Sequence, residues 1–218
     1  MKTMICIGDS LTEGTDIPVG HRWPSLVANR LAIDVVNRGI GGDTTAGMLS
    51  RFFAQVVDAG PTWVFIMGGT NDLWWGWDPQ IVLGNLFSMV FQARHHGIAV
   101  ILAAPPPVHV AAAQEGDFAP PHGGYDRFIE RLDRLVDALK RHAGESDVAL
   151  VDLHRPFLSA AGGVQGDLFL TDGLHPNTAG HRAIARGIVD CLVRVFNFSS
   201  VWPTTATIFS AASSATRT

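Results

Sequence analysis

The 218-residue chain is short of the materials from which several kinds of protein are built. Only two cysteines occur, Cys6 inside an apolar run and Cys191 inside a helical pattern. That is neither a disulfide framework nor a metal-ligand spacing, and it reads as two buried free thiols. Nowhere do the roughly 20 consecutive apolar residues of a membrane-spanning helix run together. At the N-terminus Lys2 is followed only by the run Met4–Ile7 before Gly8-Asp9, too short for the apolar region of a secretory signal. The expected location is the cytoplasm, unless a leader was removed before Met1. Positive charge is scarce too. Sixteen Lys plus Arg stand against 20 Asp plus Glu, a formal net charge of −4. No global positive field therefore exists to draw nucleic acid or an anionic membrane surface.

Cofactor signatures are missing as well. Gly39-Ile40-Gly41-Gly42-Asp43-Thr44 has Thr44 where a dinucleotide fingerprint needs its last glycine, and it follows the second apolar run rather than the first. No Gly-x-x-x-x-Gly-Lys phosphate loop and no His-Glu-x-x-His zinc pair is present, and His95-His96 are adjacent on a helical pattern, so they point to different faces. Neither a cofactor nor a metal is implied. The nucleophile elbow Gly-x-Ser-x-Gly also fails, because Thr12 holds its final position.

What is present is a core-forming composition: 47% hydrophobic and 17% charged residues, with 23 glycines. Apolar runs at Met4–Ile7, Val35–Val36, Trp63–Met67, Ile98–Leu102 and Val148–Val151 are too short for helices and rich in β-branched residues, which predicts strands buried on both faces. Helical patterns lie between and after them at Trp23–Leu31, Thr44–Val57, Pro79–His95, Tyr125–His142 and Pro176 to about Phe196. The third repeats Val82, Leu86, Met89, Val90 and Ala93, and the fourth Phe128, Leu132, Leu135, Val136 and Leu139, both stripes of helical period. Asp78-Pro79 supplies an N-cap and a first-turn proline. Regular alternation of strand and helix predicts one α/β domain over residues 1–198, a flavodoxin-like three-layer sandwich whose five-stranded parallel sheet runs in the order 2-1-3-4-5 with helices on both faces. Residues 199–218 hold ten Ser or Thr and a single charge, Arg217, and read as a poorly ordered tail.

Unusually long loops at Asp9–His21, Gly68–Asp78, Ala104–Gly124 and Leu153–His175 are where function is expected. Gly8-Asp9-Ser10-Leu11 leaves the first strand, Gly41-Gly42-Asp43 the second and Gly68-Gly69-Thr70-Asn71-Asp72 the third. In the order 2-1-3 neighbouring strands are about 4.8 Å apart, so the three loops meet within roughly 10 Å with Ser10 in the middle. A serine hydroxyl needs a base, and Asp172-Gly173-Leu174-His175 offers an imidazole with a carboxylate three residues before it. Oxyanion donors are available in the Gly42 N–H, the Asn71 side-chain amide and the Ser10 N–H, with Gly41 adjacent as a second glycine able to serve.

On these residues the chain resembles the SGNH hydrolases, also called the GDSL esterase/lipase family. Gly8-Asp9-Ser10-Leu11 matches the first block of that family, Gly42 within Asn37–Thr44 the second, Gly69-Thr70-Asn71-Asp72 the third and Asp172-Gly173-Leu174-His175-Pro176-Asn177 the fifth, over about residues 3 to 195. The resemblance implies Ser10 as nucleophile, Asp172 and His175 as the rest of a triad, and Ser10, Gly42 and Asn71 as the oxyanion hole. It implies a serine ester hydrolase acting on a small-molecule ester, and the family also contains acyl-CoA thioesterases, lysophospholipases and carbohydrate O-acetylesterases. A small-molecule binding module using the same pocket is the non-enzymatic alternative.

Plainer readings stand beside these. Asp9-Ser10 is also suited to a strand-to-loop turn, and Gly41-Gly42 to a tight turn ahead of a helix. Asp72 reads as structural, bonding the backbone of its own loop. Asp152-Leu153-His154 is the one competing acid–base pair. Trp74, Trp75 and Trp77 follow Asn71 directly. Either they cover the start of the next helix, or they wall a pocket for short to medium acyl esters.

Overall fold

The computed structural model describes residues 2–196, so the Ser/Thr-rich segment 199–218 lies outside the described residues. Five strands, β1 (Thr3–Gly8), β2 (Asp34–Gly39), β3 (Trp63–Met67), β4 (Ala99–Ala104) and β5 (Ala149–Asp152), form one parallel sheet in the order β2-β1-β3-β4-β5. Eight α-helices accompany them among the described residues: α1 (Ser10–Glu13), α2 (Trp23–Leu31), α3 (Thr45–Phe52), α4 (Thr70–Trp74), α5 (Pro79–His95), α6 (Val110–Glu115), α7 (Tyr125–Glu145) and α8 (Thr178–Phe196).

Strand side chains alternate between two cores. Met4, Cys6, Phe65, Met67, Ile101 and Ala103 pack with α2 and α8 on one face, through Trp23, Val27, Ile184 and Ile188. Ile5, Ile7, Val64, Ile66, Leu102 and Ala104 pack with α3, α5 and α7 on the other, through Phe52, Leu86, Phe128 and Leu132. Sequential parallel strands need right-handed crossovers, and placing helices on both faces produces the three expected layers. Cys6 and Cys191 are buried free thiols, and among the described residues no helix is long and apolar enough to cross a membrane.

Two local expectations need correction. Burial on both faces holds for β3 and nearly all of β1 and β4, but β2 and β5 are the two sheet edges: none of the residues of β2 and only Val151 of β5 is fully buried. Edge position follows from strand order, which local composition does not encode. The helix expected over Thr44–Val57 is α-helical only to Phe52 and finishes as a wide π turn over Phe53–Val57, in which the Asp58 N–H donates to the Phe53 carbonyl at 3.0 Å.

Candidate active site

The carboxyl end of β1 carries the centre of the site. Gly8 pairs with Gly39 of β2 and with Met67 of β3, so the loops after all three strands leave side by side. Asp9 caps α1: its Oδ1 accepts from the Leu11 N–H at 2.9 Å. Ser10 is the first residue of that helix and is partly exposed. From behind, the Trp23 indole donates to the Leu11 carbonyl at 2.9 Å while the Trp23 N–H donates to His181 Nδ1 at 3.1 Å. His181 is buried, and burial, with Arg22 and His175 adding repulsion, lowers its pKa to about 4. The Asp9 carboxyl is buried too, and its Oδ2 has no protein partner. Burial raises its pKa to about 7, opposed by the Leu11 N–H and assisted by Asp72 and Asp43.

Facing α1, His175 Nε2 lies 3.0 Å from Ser10 Oγ and His175 Nδ1 lies 2.7 Å from Asp172 Oδ2. The other carboxylate oxygen of Asp172 accepts from the N–H groups of Leu174 and His175 at 2.9 and 3.0 Å. Burial acts to raise the Asp172 pKa, but these hydrogen bonds and the imidazole outweigh it and hold the carboxyl below its ordinary value. Between them Gly173 adopts φ +65°, and a Cβ there would collide with the His109 carbonyl and come within 2.7 Å of the Ala113 nitrogen. Glycine therefore lets α6 sit directly on the Asp172–His175 turn.

The opposite side is polar and cross-braced. Ile40–Asp43 forms a β-turn in which the Asp43 N–H donates to the Ile40 carbonyl at 3.1 Å, leaving the Gly42 N–H out of the turn bond. Gly42 has φ +75°, and no heavy atom lies within 4 Å of where a Cβ would stand. The Asn71 amide donates to the Asp43 carbonyl at 2.9 Å, which joins the loops after β2 and β3 and uses one of its two N–H bonds. Arg51, on α3, pairs with Asp43 at 2.7 Å and donates to the carbonyls of Gly8 at 3.0 Å and Arg38 at 2.8 Å. One guanidinium thereby ties the ends of β1 and β2 to the turn, a role with no local sequence signal. Asp72 is structural and reaches beyond its own loop: its carboxylate accepts from the Thr45 N–H at 3.0 Å and the Thr45 hydroxyl at 2.6 Å, satisfying an amide that α3 leaves without an intrahelical partner.

The remaining candidates separate. Asp152 is engaged by Lys140 at 2.9 Å and by the N–H groups of His154 and Arg155, while the His154 ring lies 3.3 Å from the Pro105 carbonyl and 3.9 Å from Asp133. That pair orients no imidazole toward a serine. The tryptophans divide: Trp74 packs edge-on against Tyr125 and Phe128, whereas Trp75 and Trp77 are 67% and 39% exposed. An aromatic residue that sequence reasoning passed over, Phe118, stands with its ring centroid 6.0 Å from that of His175. Among the described residues no group of three or more His, Cys, Asp or Glu side chains could hold a metal ion.

Comparison with known proteins agrees with this architecture. Residues 6–183 match the model of the GDSL-like lipase/acylhydrolase family. Esterase TesA of Pseudomonas aeruginosa is 32% identical over 208 residues, covering 93% of this chain and 87% of its own. An arylesterase of Vibrio mimicus is 28% identical, covering 88% and 89% respectively. In fold, a lipolytic protein of the G-D-S-L family from Desulfitobacterium hafniense DCB-2 superposes with a TM-score of 0.74 at 22% identity, over 88% of this chain and 100% of its own.

Proposed function

This chain belongs to the GDSL-like lipase/acylhydrolase family and is an ester hydrolase, and from that premise we propose that it cleaves carboxylic esters of short to medium acyl chain through an acyl-enzyme at Ser10. The reading is carried by one observation, the unbroken hydrogen-bond chain from Ser10 Oγ through His175 to Asp172 at 3.0 and 2.7 Å. His175 donates from Nδ1 to the ionised Asp172, which leaves Nε2 free to take the Ser10 proton as Oγ bonds to the substrate carbonyl carbon. The oxyanion so formed accepts from the Ser10 N–H, the Gly42 N–H and the second N–H of the Asn71 amide. His175 then returns its proton to the alcohol oxygen as the ester bond breaks, and water repeats the sequence to release the acid.

Exposed Trp75 and Trp77, a few residues beyond Asn71, support an apolar substrate, as does the relative named for aryl esters. A common acyl-enzyme has a kinetic signature. With methanol added as a competing acceptor, esters of one acid with different alcohols yield the same ratio of methyl ester to free acid. A ratio that depends on the departing alcohol means direct attack by water and removes Ser10 as nucleophile.

A further inference from the structure

In any acyl transfer run by this arrangement the departing alcohol must lie beside His175, because its oxygen receives the proton from Nε2. The oxyanion lies on the opposite side, toward Gly42 and Asn71. Whatever lines the imidazole therefore meets the alcohol half of the ester and not the acyl half. The ring that does so is Phe118, 6.0 Å from His175 between centroids at an interplanar angle of 52°. It is 52% exposed, so part of the ring is open to a ligand.

Phe118 is also held in place. It belongs to the segment between α6 and α7, where the Trp74 indole donates to the neighbouring Ala119 carbonyl at 3.1 Å and the His122 N–H donates to the Trp74 carbonyl at 2.8 Å. The Tyr125 hydroxyl donates to the Ala113 carbonyl at 2.9 Å. At the other end of α6, the His109 N–H donates to the Gly173 carbonyl at 2.9 Å, inside the Asp172–His175 turn. Phe118 and His175 are thus fixed to one another through α6. Trp74, its own partly buried ring packed edge-on against Tyr125 and Phe128, acts as a positioning residue for this segment.

Resting on the assignment of His175 as the general base, we propose that Phe118 determines specificity for the leaving alcohol, and that the favoured alcohols are aromatic or bulky and apolar. An aryl ring against the exposed part of Phe118 gains an offset or edge contact as its oxygen comes to Nε2. Once the alcohol departs the contact is gone, so selectivity acts on acylation and is absent from deacylation.

The test compares acetates of a phenol and of a fluorinated alkyl alcohol of similar acidity, together with a series of aryl esters of increasing acyl length, for the native protein and Phe118→Ala. The expected result is a loss of about tenfold in kcat/KM on the aryl acetate, less than twofold on the fluoroalkyl acetate, and an unaltered acyl-length profile and melting temperature. Phe118→Leu should recover part of the aryl preference. Equal loss on both alcohols, loss that follows acyl length, or no loss overturns the proposal. Organophosphonate labelling of Ser10 in both proteins keeps the two questions apart: normal labelling with an unchanged alcohol profile defeats Phe118 alone, whereas failure to label the native protein defeats the Ser10–His175 reading on which it rests.

Discussion

The two sides of Ser10 are built from different chemistry. Toward β2 and β3 the loops are joined by charged and amide groups: Asn71 to the Asp43 carbonyl, Asp43 to Arg51, Arg51 to the ends of two strands, and Asp72 to Thr45. After β4 the segment beyond α6 is pinned through its backbone and brings the exposed ring of Phe118 beside His175. Oxyanion donors must be held to within tenths of an ångström, and cross-linked polar groups accomplish that. An apolar wall recognises by contact area, tolerates small displacements and can change without disturbing the reaction. Variants on the polar side should therefore fall mainly on kcat, and variants on the aromatic side on the choice of substrate.

The largest effect belongs to the group between the two sides. Ser10→Ala should lower kcat by about 10⁴–10⁶-fold with an unchanged melting temperature, because the hydroxyl fills no core volume. His175→Ala should be comparably inactive and His154→Ala close to native; steady-state kinetics giving the reverse order of the two histidines would move the base to His154.

On the polar side, Asn71→Ala should lower kcat by about 10²–10³-fold with little change in KM, the usual cost of one oxyanion donor. Arg51→Gln, one step further from the substrate, should lose about tenfold in kcat and lower the melting temperature. A rise in KM with kcat preserved in either variant would place that residue in ground-state binding and erase the contrast between the two sides.

Two separate buried groups, Asp9 next to Ser10 and His181 on α8, give the region behind the site its own pH signature. Asp9 titrates near 7 in the folded protein, above its unfolded value, so the stability it confers is complete below about pH 4 and disappears as pH rises toward 7. His181 titrates near 4, below its unfolded value, so its stabilisation is complete above about 6.5 and disappears as pH falls toward 4. Each limb amounts to roughly 3–4 kcal/mol at full extent, and between pH 4 and 6.5 they oppose one another. Asp72, also raised by burial, acts in the same direction as Asp9. Urea midpoints of Asp9→Asn should climb with pH over that window, and those of His181→Asn should fall. Parallel profiles for the two variants and the native protein would refute the assignment.

The smallest effects lie among the tryptophans. Trp75→Ala and Trp77→Ala should cost up to about tenfold in kcat/KM on aromatic or medium-chain esters, less on acetates of small alcohols, with unchanged thermal midpoints. Trp74→Ala should lower the midpoint, since its ring packs on Phe128 and its indole holds Ala119. A uniform loss across esters for Trp75 or Trp77 would show loop packing in place of a pocket wall.

Much of this was legible in the residues themselves. Buried parallel strands announce themselves as short β-branched runs, and the loops after them carry Gly, Asp, Ser and Asn because sharp exits and helix caps demand those types. Ser10, Gly42, Asn71 and His175 were accessible for that reason. What was hidden depends on partners distant in the chain. Arg51 lies on an ordinary amphipathic helix, and only the β2-β1 pairing gives its guanidinium two strand-end carbonyls. Asp72 also reaches Thr45, 27 residues away. Phe118 sits in a Gly- and Pro-rich stretch with no period, and becomes informative only because α6 rests on Gly173.

The acyl-enzyme at Ser10 is tested most directly by treating the native protein and Ser10→Ala with an aryl organophosphonate and locating the adduct by peptide mass. A single adduct on Ser10 in the native protein, formed more slowly in Asn71→Ala and absent from Ser10→Ala, is the expected result. An adduct on another residue, or one retained in Ser10→Ala, would contradict it.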